Sequence, residues 1–155
     1  MRNPIQRETR TSERTPLRQS ESNGGSVAES GPFRLARVLF GAVLAFMATD
    51  NFRNLEERIQ YAESKHAPVP SLSVPAISGG LLFGSVGIVL WRMPVASAAA
   101  VAVFFGSVTP LLHDFWNVDD PEEKQQELIE FSKNAALLGA ALAFLQLGRS
   151  QGPGE

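Results

Sequence analysis

Four apolar blocks, separated by short charged connectors, run through residues 33–149, and the third ends in His113-Asp114-Phe115-Trp116. A helix needs about 20 apolar residues to cross the hydrocarbon core, and in lipid it must satisfy its backbone hydrogen bonds internally. Repeated blocks of this length therefore specify an all-α fold: a four-transmembrane-helix antiparallel bundle. The whole-chain apolar fraction of 44% looks like that of a soluble domain only because residues 1–32 are almost entirely polar and lower the mean.

The expected organisation is a disordered tail over 1–32, a four-helix membrane domain over 33–149 and a short flexible C-terminus over 150–155. Within 155 residues that leaves no room for a separate soluble catalytic domain. The apolar core of the first block starts near Leu35, too late for a cleaved signal peptide, so it is read as a retained span. The absence of cysteine excludes disulfides, a thiolate nucleophile and cysteine-ligated zinc or iron-sulfur centres.

Span one is expected over 33–49, with Arg34 and Arg37 snorkelling from its first turns and Asp50 ending it. Phe52, Leu55, Ile59 and Ala62 then recur at three- and four-residue spacing among charges, which predicts a surface amphipathic helix over 51–66. Pro68 and Pro70 break it, and Pro75 is placed in the first turn of span two, 74–91. Arg92-Met93-Pro94 makes a tight turn into span three, 95–112, with Trp91 at the lipid-water boundary. Asp120-Pro121-Glu122-Glu123 is a helix start, with Asp120 as N-cap. The membrane part of that helix is expected over 134–147, flanked by Lys133 and Arg149.

Seven Lys and Arg precede or enter span one, whereas the connectors after spans one and three carry three and two. The positive-inside rule then predicts a multi-pass cell-membrane protein with both termini cytoplasmic and the His113 end outside. Small residues at four-residue spacing, Gly41-Ala45-Thr49, Gly80-Gly84, Ala98-Ala102-Gly106 and Ala135-Gly139-Ala143, are expected to line the helix contacts.

This topology gathers Asp50, Asn51, His113, Asp114, Trp116, Lys133 and Asn134 at one membrane level, as a candidate ligand-binding or polar cluster. Imidazole is the side chain that ordinarily titrates near neutrality, which singles out His113. The competing reading is an interfacial anchor: a His, an Asp and a Trp after an apolar span, and a snorkelling lysine before the next. No catalytic residue is assigned. His66 and His113 lack the fixed spacing of metal ligands, and the acidic run from Asp119 to Glu123 reads as a helix cap rather than a calcium loop, because it lacks the loop glycine. The basic tail has no interleaved aromatics and carries four glutamates, which argues against nucleic acid, while its arginines suit membrane lipid.

Three segments in order, Ser78-Gly79-Gly80-Leu81-Leu82-Phe83-Gly84, His113-Asp114-Phe115-Trp116 and Phe131-Ser132-Lys133-Asn134-Ala135-Ala136-Leu137-Leu138-Gly139, resemble the DoxX family of small four-helix membrane proteins over about 34–147. The resemblance implies an accessory or quinone-binding subunit of a membrane oxidoreductase, with quinone as the cofactor and redox or other membrane-complex subunits as partners. A site of that kind would draw hydrogen-bond donors from His113, Lys133 or Asn134 and entrance walls from Phe115 and Trp116. The alternative is a noncatalytic membrane scaffold whose outward-facing loops bind a partner.

Overall fold

A computed structural model describes residues 27–151, and all of its regular structure is helical. A 3-10 turn, Val27–Glu29, precedes α1 (Gly31–Arg53); α2 (Leu55–Ser64), α3 (Pro70–Leu90), α4 (Pro94–Leu112) and α5 (Pro121–Ser150) follow. A second 3-10 turn, Phe115–Asn117, lies between α4 and α5. Among the described residues, α1, α3, the α4 segment and α5 are each long and apolar enough to cross a membrane, which makes this a multi-pass membrane-type bundle. Of the expected tail and C-terminal segment, residues 1–26 and 152–155 lie outside the described residues.

Local chemistry explains the helix ends. The Ser30 hydroxyl accepts from the Phe33 amide and caps α1. Asp120 does the same for α5, its Oδ1 accepting from the amides of Glu122 at 3.0 Å and Glu123 at 2.9 Å, with Pro121 at the first helical position as expected.

Two boundaries differ from the sequence expectation. Asp50 does not end the first span, because its carboxylate accepts from Arg58 and Asn54, and the helix continues to Arg53 before a break at Asn54. Span two begins at Pro70 rather than near Pro75, because Pro70 takes the first-turn role. Pro75 then sits inside α3, where its missing N–H cannot serve the Ser71 carbonyl.

The chain reverses between α3 and α4 through Trp91 and Met93, both in the left-handed region at φ 54° and 53°. The Arg92 amide donates to the Gly87 carbonyl at 3.1 Å and the Trp91 amide to the Ile88 carbonyl at 3.2 Å, the closing bonds of a Schellman cap. A non-glycine residue in that conformation costs about 1–2 kcal/mol. Contacts of the Trp91 side chain oppose this cost. Its ring packs edge-on to Phe33 at 4.9 Å and against Phe144 at 6.1 Å, and its Nε1 donates to Gln151 at 3.1 Å, joining α1, α3 and the end of α5.

Backbones pack in the order α1 on α3, α3 on α4 and α4 on α5, around Leu44, Ala48, Leu81, Ile88, Val101, Phe104, Phe105 and Ala141. Only some of the small residues create the close approaches. A Cβ at Gly41 would lie 2.8 Å from the Ser85 carbonyl oxygen, one at Gly84 2.7 Å from that of Ser97, and one at Gly148 3.1 Å from Pro94. Gly80, Gly106 and Gly139 meet nothing within 4 Å, so these three glycines do not themselves make the contacts, although Gly84 and the buried Ala98 in the same stripes do. Apolar residues also cover the outside, with Phe46 at 71% and Val103 at 65% exposure, as a surface bathed in lipid requires.

Candidate functional site

α1 and α5 close the bundle through side chains rather than backbone. At the end that carries the chain termini, Phe40 stacks on Phe144 with centroids 5.2 Å apart. Towards the opposite end the two helices leave a half-open cavity of about 300 Å³, roofed by α2. Its floor is apolar, with Met47, Ile77, Phe104 and Val108. Its rim is polar, with Asp50, Asn51, Arg58, Tyr61, His113, Glu130 and Asn134.

The polar rim is largely pre-bonded. Asn51 Nδ2 donates to Ser78 Oγ at 3.3 Å, linking α1 to the buried serine of α3. Arg58 pairs with Asp50 at 2.7 Å. Tyr61 donates to the Leu112 carbonyl at 3.2 Å and so pins α2 over the C-terminus of α4. Asn134 lines the cavity with no hydrogen bond from its side-chain amide to another described residue.

Behind the rim lies an ionic network. Lys65, the C-cap residue just past α2, donates to Asp114 Oδ1 at 2.9 Å and lies 3.9 Å from Glu127 of α5, whose other oxygen is 2.8 Å from His113 Nδ1. Asn117 adds a 3.0 Å bond to Asp114. The Lys65 ammonium, reinforced by Asn117, holds the Asp114 carboxyl below the usual carboxylate range, and Asp114 in turn raises Lys65. The Tyr61 hydroxyl is pushed above its ordinary range, first by burial and next by the charge of Glu127.

Four of the seven residues expected from the sequence, Asp50, Asn51, His113 and Asn134, thus come together on the cavity. Asp114 belongs to the network behind it. Lys133 points to Glu130 on the exposed side of α5, and Trp116 packs edge-on to Phe115 and Phe131, half exposed and away from the cavity. Among the described residues, no three His, Asp or Glu side chains are grouped to hold a metal ion.

Sequence reasoning missed Arg58, Tyr61, Lys65, Ser78, Glu127 and Glu130. Helical spacing carried a signal for most of them: Glu127, Glu130 and Asn134 fall at i, i+3 and i+7 on α5, and Arg58, Tyr61 and Lys65 at the same spacing along α2 and its C-cap. Polar residues recurring on the face that continues a core stripe are directed inward.

Part of this chain has a counterpart among known families. Residues 79–147 match the family described as HR-like lesion-inducing. The matched stretch runs from within α3 through α4 to near the end of α5, less than half of the chain, and leaves α1 and α2 outside it. This corrects the DoxX resemblance, since the match is to a different family and no DoxX match accompanies it. The motifs that suggested DoxX, paired glycines in a span, a His beside aromatics and a lysine before the last helix, are ones that any small bundle needs for close packing and interfacial anchoring. The oxidoreductase role rested on that resemblance and loses its support with it. No curated protein and no solved structure matches the chain.

Proposed function

We propose that this chain is a membrane-embedded binding protein that holds one amphiphilic molecule, its polar head at the rim and its apolar part on the cavity floor. The cavity between α1 and α5 carries the proposal. Its volume lies at the small end of the range for small-molecule sites, and an apolar floor with a few convergent polar groups is the lining such sites use. Asn51 and Asn134 offer amide donors, and Asp50 and Glu130 offer acceptors, to a head group of carbonyl or hydroxyl character. A quinone ring is one head of that kind.

Under this proposal both termini are cytoplasmic and the cavity faces the opposite leaflet. Four arginines and one glutamate among the described residues at the termini end support that orientation.

The test is photolabelling of the full chain in lipid nanodiscs with a photoreactive short-chain benzoquinone and with a photoreactive fatty alcohol. Label concentrated at 46–51 and 130–134, and lost when Asn134 is replaced by Leu, is expected for one of the two probes. Label spread evenly over the lipid-facing side chains would end the proposal.

A second reading is a scaffold that docks a partner outside the membrane. Trp116 at 50%, Leu128 at 43% and Ile129 at 49% exposure lie near the part of α5 that precedes its crossing segment, and they favour it. Stoichiometric co-purification of another protein, lost in a Trp116→Ala variant, would select this reading.

A further inference from the structure

At the termini end of the bundle, charge is unbalanced in a way that the cavity does not explain. Arg34 and Arg37 of α1, Arg92 of the α3–α4 turn and Arg149 of α5 are the basic side chains there, and among the described residues none forms an ion pair. At the other end Arg58, Lys65 and Lys133 are paired, whereas Arg53 and Lys124 form no ion pair among the described residues. Arg149, in the last turn of α5, complements the carbonyl end of its own helix, and Arg92 stands just beyond that of α3. Arg37 has no such role in α1, whose carbonyl end is on the far side.

Of the cations at the termini end, Arg37 is the one packed on aromatic rings among the described residues. Its guanidinium carbon lies 5.7 Å from the Trp91 ring centroid and 6.0 Å from that of Phe33. Its Nε is buried and has no hydrogen-bond partner. A buried guanidinium N–H without an acceptor is rare because the group loses water and gains nothing in exchange. Two rings orient the fork while leaving its donors unused, and Arg34 stands one turn nearer the head groups on the same helix. Leu35, Val38 and Leu39, all exposed, continue as an apolar surface along α1.

We propose that Arg37, with Arg34 behind it, forms a site for the phosphate of an anionic phospholipid, whose acyl chains lie along the exposed apolar face of α1. A guanidinium fork matches two phosphate oxygens through its terminal nitrogens, which the two rings leave free to face a phosphate. The site is separate from the cavity, and Asn134 and the rim residues take no part in it.

Native mass spectrometry of the full chain in mild detergent, titrated with phosphatidylglycerol and with phosphatidylcholine, tests the proposal. One tightly retained phosphatidylglycerol per chain is expected, with weaker retention of phosphatidylcholine. Arg37→Gln should reduce it about tenfold, Arg37→Lys should recover part of the binding, and Arg53→Gln, at the opposite end, should leave it unchanged. The preference of the wild-type chain between the two lipids needs no variant, so a misfolded Arg37→Gln does not block the test. Equal retention of both lipids, or full retention by Arg37→Gln, would overturn the proposal. Displacement of the lipid by millimolar inorganic phosphate would assign the site to free phosphate and overturn it as a lipid site.

Discussion

Nδ1 of His113, at the C-terminus of α4, stands 2.8 Å from Oε2 of Glu127, in the second turn of α5. The contact closes the α4–α5 connection across the aromatic turn at Phe115–Asn117. It also sets the height at which α5 meets the cavity rim. Both side chains are mostly buried, and Glu127 serves Lys65 as well.

Removing the shared carboxylate should therefore cost more than one exposed ion pair would. Glu127→Ala is expected to destabilise the bundle by about 1–3 kcal/mol, because it strands the partly buried His113 ring nitrogen and takes a second carboxylate from beside Lys65, which keeps its bond to Asp114. Thermal unfolding in detergent measures this, and a loss no larger than that of Glu57→Ala, an exposed control on α2, would contradict it.

The pH response of the α2 latch follows from the shifts at Lys65 and Asp114. Asp114 is depressed below its ordinary 3.8, so its contribution is complete above that value and fades as pH falls through its lower folded value. Lys65 is raised above its ordinary 10.5, so its contribution is complete below that value and is lost as pH climbs through the folded value. Hydrogen exchange of α2 should be slowest and nearly level between those limits, after correction for the intrinsic rate. Lys65→Met should accelerate it by about fivefold, the effect of about 1 kcal/mol. Unchanged α2 protection in the variant would show that the pair does not hold the helix.

Glycine substitutions separate real helix contacts from apparent ones. Gly84→Ala would set a Cβ 2.7 Å from the Ser97 carbonyl oxygen, in contact with rigid backbone, and should cost about 1–3 kcal/mol. Gly139→Ala meets open space and should be neutral or slightly stabilising through its gain in helix propensity. Melting temperatures of the two variants in one detergent give the comparison directly.

Asp120→Ala removes the acceptor for two amides at the start of α5 and should cost about 1 kcal/mol. Fraying confined to the first turn of α5 in hydrogen exchange is the expected signature.

The native chain has no cysteine, so single introduced cysteines report topology cleanly. His66→Cys and Asp119→Cys should react with an impermeant maleimide from one compartment and Gln151→Cys from the other. Labelling of positions 66 and 119 from opposite sides would break both the bundle order and the cavity built on it.

Much of the bundle was legible in the chain. The apolar block lengths announced the spans, and Asp120, Pro121 and Glu123 announced the start of α5 to the residue. Misplaced boundaries trace to single side chains whose partners are distant in sequence. Asp50 reads as a terminator until Arg58 and Asn54 reach it, and Pro75 reads as a first-turn proline until Pro70 takes that place. The DoxX resemblance failed for a related reason, since short runs constrained by the bilayer recur wherever small helices cross it.

Period and length along one chain determined that this protein is helical and that four of its helices suit a membrane. Those properties depend on residues within a few turns of one another, where hydrophobic spacing and capping act. Which groups meet was decided only by packing. Helices α1 and α5 close through Phe40 and Phe144 at one end and part at the other, so a cavity opens between them. Long side chains from α2 and its C-cap cross to α4 and α5, and these distances depend on how the helices cross and rotate, which no local spacing encodes.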